Sequence, residues 1–447
     1  MTKNKQFYKN FFRICIALVL QNIITLSVNL ADNVMLGNYS EAALSGATAV
    51  NQIQFIYQQL LLGIGDSLVI FGSQYWGQRK TKEIKQYAAI AMLFSLCILA
   101  IFFITSSALP NALLHVFTDD AAIVEQGVAY LSTIRFTYIF FCFTALLLAL
   151  LRSIEIVKIA FYLSVSSLIL NCGINWVLIY GRYGFPELGI RGAAIGTLVA
   201  RITELIFLIA YLVFKEKTLC IKIKDFFTFN QEIFCSYFKI SLPIILASAL
   251  WGVNTAAQTA ILGHMSSNAI AANSVASNLF LLVKTAAVGA ASSAAIIMGK
   301  AIGAGRKDLL KEYAHTLQIL FVGIGIFCSI ILFILIDPVL SLYNLSPASK
   351  ELARAFLYVL TATVLVTAYQ MPTNIGILRG SGNTRYMMML DFISIYLIVL
   401  PLSFFVAFFT EASPVVVIIC LNIDQFFKCI PAFIKTNYTN FAKSLTK

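Results

Sequence analysis

Charge is what this sequence has least of. Only 12% of its 447 residues are Asp, Glu, Lys or Arg, while 60% are apolar; soluble domains carry about 25% and about 45–50% respectively. A single buried core cannot absorb that surplus, and the same figures exclude a disordered or collagen-like chain. There are only three histidines and no H-E-x-x-H, so zinc-protease chemistry is excluded. The nine cysteines, from Cys15 to Cys429, include no C-x-x-C pair. They offer neither a disulfide framework nor a zinc spacing, and read as small apolar groups. No G-x-x-x-x-G-K-[ST] occurs, which argues against nucleotide-driven pumping. With no convergent acid–base or metal constellation, neither an enzyme nor a cofactor is expected.

What the sequence does have is long apolar runs. They lie near residues 11–35, 47–74, 88–111, 127–151, 157–180 and 189–214, then 240–262, 271–299, 314–336, 352–378, 386–410 and 414–436. Barrel strands would be about ten residues with strict alternation, so these twelve runs predict membrane-spanning helices. The first follows Lys3, Lys5, Lys9 and Arg13 in the manner of a signal peptide. It carries Gln21, Asn22, Asn29 and Asp32 and lacks a small-x-small cleavage site, so it is expected to be a retained first span.

The basic residues test the count. With a cytoplasmic N-terminus, the inside segments hold 4, 4, 2, 5, 4, 2 and 4 Lys/Arg, the last four assigned to the C-terminal tail. The outside loops hold four (Arg182, Arg191, Lys350, Arg354), and Arg135, Arg201 and Lys284 lie within spans. A split of 25 to 4 places both termini in the cytoplasm. The net charge of +12 is therefore topology, and no nucleic-acid partner is expected.

The longest inside connection divides the chain into a six-helix bundle at 1–214, a cytoplasmic linker at 215–238, and a second bundle with a short tail at 239–447. An offset of 226 aligns Leu36-Gly37 with Leu262-Gly263, Ala43 with Ala269, Gly63 with Gly289 and Gly77 with Gly303. Later the register drifts by two, where Pro110 meets Pro338 and Tyr130 meets Tyr358. Six spans per repeat is even, so the halves form a parallel repeat, a recurring transporter plan.

Polar groups inside spans are functional candidates because a bilayer penalises them. Gln21, Thr25, Asn29 and Asp32 are spaced as one stripe on span one. An acid there can alternate between protonated and ionised forms or collect sodium; at the outer membrane edge it would instead be solvated and inert. Span five carries Ser164, Ser167, Asn171 and Asn175 on one face. Its asparagines suit a carboxylate or a cation, and equally suit interhelical bonding. Tyr138, three residues after Arg135, suits either the same network or core packing. Arg201 and Glu204 are expected to satisfy each other. Lys284 is expected to pair with Asp391 or Asp424; unpaired, it would favour anionic substrates. Asp66 finds no evident role. Gly192-x-x-x-Gly196-x-x-x-Ala200 reads as close helix packing. Gln21 and Asn29, with Asn254, Gln258, Tyr369 and Gln370 of spans seven and ten, are the groups expected to line a substrate cleft.

Several segments resemble the multidrug and toxic compound extrusion (MATE) family of secondary transporters. They are Val28-Asn-Leu-Ala-Asp32-Asn-Val-Met-Leu-Gly37, Ser73-Gln74-Tyr-Trp-Gly77 and Asn171-Cys-Gly-Ile-Asn175-Trp-Val-Leu-Ile-Tyr-Gly181. Phe185-Pro-Glu-Leu-Gly189, Gly192-Ala-Ala-Ile-Gly-Thr197 and Leu378-Arg-Gly-Ser-Gly-Asn-Thr384 complete the set. The resemblance implies an all-α integral membrane protein, with twelve helices in two six-helix bundles around a V-shaped central cleft. It implies export of small amphipathic, often cationic, compounds in exchange for protons or sodium ions, by a monomer in the lipid bilayer of the cell membrane. Asp32 matches the first-helix coupling aspartate, Asn171 and Asn175 the helix-five pair, and Thr197 the helix-six threonine; Tyr138 is a looser match. Any sodium ion is expected at Asp32.

Three positions depart from the family pattern. A proline early in helix one is replaced near Ala17, while its repeat counterpart Pro243 remains. Spans seven and ten lack the carboxylates of the sodium-linked branch, which places the chain nearer the DNA-damage-inducible F branch. Arg152-Ser-Ile-Glu-Ile-Val-Lys158 lacks the usual Gly and Pro. A lipid or lipid-linked saccharide flippase of related fold is the nearest alternative function, separable by a lipid-scrambling assay. A membrane-embedded enzyme, the rival from another class, would turn over without any gradient.

Overall fold

The computed structural model describes residues 2–118, 120–227, 230–265, 267–342 and 346–445, and among them there are helices and turns but no strand. The helices are α1 (Lys5–Tyr39), α2 (Glu41–Gly77), α3 (Thr81–Ala108), the short α4 (Pro110–His115), α5 (Ala121–Ile134), α6 (Thr137–Ser153), α7 (Lys158–Ile179) and α8 (Ile190–Phe214). They continue with α9 (Gln231–Met265), α10 (Ser267–Gly303), α11 (Lys307–Leu342), α12 (Pro347–Met371), α13 (Thr384–Phe392), α14 (Leu400–Phe409), α15 (Pro414–Phe427) and α16 (Cys429–Tyr438). Eleven helical stretches are long and apolar enough to cross a membrane; α5 and α6, bent by 53° at Arg135-Phe136, together supply the twelfth. The twelve expected spans are all present.

Local chemistry sets the ends and breaks. Asp120 caps α5 by accepting from the backbone N–H groups of Ala122 and Ile123 at 2.9 and 3.3 Å, satisfying donors that a helix start leaves open. Pro347 and Pro414 stand in the first turns of α12 and α15, where no intrahelical N–H is needed. Pro372, which has no N–H to offer, follows α12 directly, and the chain continues in wider π turns over Pro372–Arg379. A second π segment, Ile393–Val399, joins α13 to α14. The missing proline near Ala17 leaves α1 without an internal proline, whereas α9 contains Pro243.

The chain forms two compact units. One, here the N-terminal unit, comprises Leu20–Gly72 and Lys80–Ser241; the other, the C-terminal unit, comprises Met1–Val19, Ser73–Arg79 and Leu242–Lys447. In the N-terminal unit, Leu36, Ala47 and Val50 pack with Leu131 and Ile134 of α5, Ile179 of α7 and Ala193 of α8. The Gly192 and Gly196 face of α8 lies against α7, where a Cβ at 192 would strike the Leu178 backbone; small residues let two membrane helices approach this closely. Tyr237 donates its hydroxyl to the Ile64 carbonyl at 2.7 Å, and Phe71 stacks on Tyr87 at 4.2 Å. Asp66 meets Arg152 at 2.8 Å and Arg201 meets Glu204 at 2.7 Å. The second pair is the expected one, and the first gives Asp66 its role.

In the C-terminal unit, Val283, Leu332, Phe356, Leu360, Val417 and Leu421 form one apolar cluster. A second gathers Phe7 and Phe11 of α1 with Met298, Phe321 and Leu378. The Ser73–Arg79 segment joins this unit through Gln74, which donates to the Lys443 carbonyl at 3.2 Å and accepts from the Leu445 N–H at 2.8 Å.

Candidate functional site

Asp32 sits in the C-terminal half of α1, and the candidate site forms around it within the N-terminal unit. The face of α7 bearing Ser164, Ser167, Asn171 and Asn175 is buried along its length, with Asn171 at 1% and Asn175 at 0% exposure. Asn175 Nδ2 donates to Asp32 Oδ1 at 2.6 Å and also lies 3.3 Å from Asn171 Oδ1. Asn171 Nδ2 donates to Thr197 Oγ1 at 3.1 Å, and that hydroxyl donates to the Ala193 carbonyl one turn back on α8. Asp32, Asn171, Asn175 and Thr197 are thus one hydrogen-bonded chain across α1, α7 and α8.

Glycine makes this chain possible. A Cβ at position 196 would overlap Asn175 Oδ1, so the Asn175 amide fits only because α8 carries no side chain there. That same Oδ1 is buried and accepts no hydrogen bond among the described residues. The site therefore presents two oxygen groups of different kind: an Asp32 carboxylate held by an amide N–H, and an amide oxygen with spare acceptor capacity. Arg201, one turn beyond Thr197, acts on Asp32 electrostatically while its guanidinium bonds Glu204 at 2.7 Å.

Tyr130 is the tyrosine that meets this network: its hydroxyl interacts with Thr197, and its ring is within electrostatic reach of Asp32. Sequence reasoning used Tyr130 only to align the repeat; its place on the α5 face turned toward α8 is not visible without the bend at Arg135. Tyr138, beyond that bend, is not hydrogen-bonded to the network. Its backbone carbonyl accepts from the Tyr57 hydroxyl at 2.7 Å, and its own buried hydroxyl has no partner among the described residues.

The groups expected at a substrate cleft fall in both units. Gln21 is half-buried and Asn29 exposed on α1. In the C-terminal unit, Gln258 Nε2 approaches Asn254 Oδ1 at 3.4 Å. Tyr369 donates to Gln318 Oε1 at 2.8 Å, and Gln370 Nε2 donates to Gln425 Oε1 at 2.6 Å. One expectation is corrected: Lys284 pairs with neither Asp391 nor Asp424. Both aspartates bind Lys428, each at 2.9 Å. Lys428 lies one helical turn after Asp424 and so shares its face. Counted by position alone it belonged with the tail cations, yet it is only 4% exposed.

No group of three or more His, Cys, Asp or Glu side chains suited to a metal occurs among the described residues. A family model described as MatE matches residues 17–177 and 243–405, both halves of the repeat. "Probable multidrug resistance protein NorM" of Thermotoga maritima is 23% identical, covering 89% of this chain and 85% of that protein. A protein of the same name from Streptococcus pneumoniae is 27% identical, covering 84% and 82%. A solved MOP superfamily transporter from Pyrococcus furiosus superposes with a TM-score of 0.88 at 18% identity, covering 98% of each chain. With the matching segments spread over both halves and twelve apolar spans to hold them, the chain belongs to the MatE family, the multidrug and toxic compound extrusion transporters, and is a multi-pass membrane protein.

Proposed function

We propose that this protein is a secondary active antiporter of the cell membrane that exports amphipathic organic compounds in exchange for protons, with Asp32 as the coupling group. One observation carries the reading: a carboxylate within an apolar span, bonded to the Asn175 amide at 2.6 Å. In its ionised form Asp32 accepts the Asn175 N–H bond. When Asp32 takes a proton from outside it becomes a donor, and the unpartnered Asn175 Oδ1 is the acceptor beside it. A rotation of that amide turns Oδ1 toward the protonated carboxyl and withdraws Nδ2 from Asn171 Oδ1, and so gives the site two arrangements. A gradient that loads one of them shifts the population between the two, which is what exchange requires. Release of the proton toward the cytoplasm resets the cycle.

The NorM name of the relatives supports multidrug export. Spans seven and ten, which bring Asn254, Gln258, Tyr369 and Gln370, lack the carboxylates of the sodium-linked branch, which supports protons over sodium. Both termini are cytoplasmic on the charge split, the halves divide at 215–238, and the transporter acts as a monomer. The test is efflux of a fluorescent organic cation such as ethidium from proteoliposomes, with pH and sodium gradients imposed independently. The wild type follows the pH gradient, and Asp32→Asn, still monodisperse, does not. Undiminished efflux by Asp32→Asn, or efflux that follows sodium alone, overturns the proposal.

A further inference from the structure

The C-terminal unit gathers four charged side chains that the Asp32 site does not use. Lys428, between α15 and α16, is 2.9 Å from both Asp391 of α13 and Asp424 of α15. This triad holds two anions and one cation. The fourth charge is Lys284, near the middle of α10. Among the described residues its ammonium makes no ion pair or hydrogen bond; it lies 5.7 Å from the Phe280 ring and 6.0 Å from the Trp251 ring of α9. Cys328 of α11 and Thr367 of α12 line a cavity with it, of about 10 Å³, room for roughly one water. The charged groups acting on it are Asp424 and Lys428. Hydrogen bonds run from Thr367 to Gln425 at 3.1 Å and from Gln425 to Asp424 at 2.9 Å, joining the cavity wall to the triad.

The two lysines are therefore held differently. Lys428 is gripped by two carboxylates, and losing its proton would forfeit both ion pairs. Lys284 feels one anion, Asp424, and one cation, Lys428, at a distance, and no direct bond fixes its proton. The aromatic rings stabilise the cation without accepting a hydrogen bond from it, and the cavity beside it has room for roughly one water to carry a proton. We infer that Lys284 is a second proton-exchanging group, separate from Asp32, so that each transport cycle exchanges two protons. Its part in transport rests on the antiporter reading, but its titration does not.

The experiment reads the two apart. With Trp76 and Trp176 replaced by Phe, emission comes from Trp251 alone, and the neighbouring ammonium modulates it. Across the pH range in which the protein stays folded, the emission should titrate as one group. The titration should vanish in Lys284→Met and in Lys284→Arg, whose guanidinium keeps its charge, and persist in Asp32→Asn. In proteoliposomes exporting ethidium, the proton-to-substrate ratio should fall by one in Lys284→Arg. A flat wild-type emission, a titration that survives Lys284→Met, or an unchanged ratio in Lys284→Arg overturns the inference. Loss of efflux in Asp32→Asn with the titration intact bears only on Asp32.

Discussion

Gly196→Ala is a one-carbon change that tests whether the Asn175 amide sets the state of Asp32. The added methyl would overlap Asn175 Oδ1 and come within 3.1 Å of its Cγ. Moving α8 away from α7 would give up the close approach at Gly192, where a Cβ would strike the Leu178 backbone, so the side chain is the part that yields. The amide must therefore rotate, withdrawing Nδ2 from Asp32 and Asn171. Overpacking of this kind costs about 1–3 kcal/mol, and a hydrogen bond to a charged group is worth about 1.5–3 kcal/mol. If that bond is needed in the transport cycle, efflux driven by a pH gradient should fall about 10- to 150-fold, at 1.36 kcal/mol per factor of ten. Asn175→Ser frees the space the methyl needs, so the double variant Gly196→Ala/Asn175→Ser should be no slower than Asn175→Ser alone. The cycle then returns a coupling close to the whole effect of Gly196→Ala. Wild-type efflux in Gly196→Ala, or a double variant that loses both factors in full, would refute the reasoning.

Two further outcomes follow from the charges. Lys428→Met strands Asp424, whose side chain is 7% exposed, and should cost about 3–5 kcal/mol, the scale for removing one partner of a buried ion pair, measured by thermal unfolding in detergent. Arg152→Ala should cost clearly less, because Arg152 and Asp66, at 19% and 36% exposure, are less buried than Lys428 and Asp424 at 5% and 7%; equal losses would contradict the burial contrast. Outside the spans, Asp225 pairs with Lys85 at 2.9 Å. Burial alone would push its carboxyl up, but the Lys222 N–H and the Lys85 ammonium outweigh that and hold it below the usual carboxylate range. A depressed folded value means the stabilisation is present above the ordinary range and lost as pH falls through the lower one. Amide protection over residues 215–227, corrected for intrinsic exchange, should therefore be steady from pH 7 down to about pH 5 and decline only in stronger acid. In Asp225→Asn it should already be low at pH 7.

Hydropathy alone located the spans because each must be about twenty apolar residues long whatever it packs against. It did not show the bend between Ile134 and Thr137, since both flanking stretches are apolar and nothing in their composition marks the break. The Asp32–Asn175–Asn171–Thr197 chain was legible for a related reason: residues four apart on one helix share a face, and polar residues in a span must find each other. Gly196 was read as a packing residue; its role beneath the Asn175 amide depends on a lateral fit between α7 and α8 that no spacing encodes. The Lys428 triad was missed because a linear count assigns a lysine near a span end to the tail, while only the helix phase reveals that it turns inward toward Asp424 and Asp391.

The repeat sharpens what the two units have in common. At the offset of 226, Asp32 falls on Gln258, so the acid has no copy in the second half, and no lysine in the first half answers to Lys284, whose counterpart is Gln58. Each half has thus kept the scaffold and acquired its own ionisable group. In both, that group escapes the direct pairing that neutralises its neighbours: Arg201 is taken by Glu204, Asp66 by Arg152, and Lys428 by two aspartates. A salt bridge fixes its protons, and a fixed proton cannot be exchanged against a gradient. Asp32, bonded to an amide, and Lys284, beside aromatic rings, lack such a direct ion pair among the described residues, which is why the proposed cycle places its proton exchange on them.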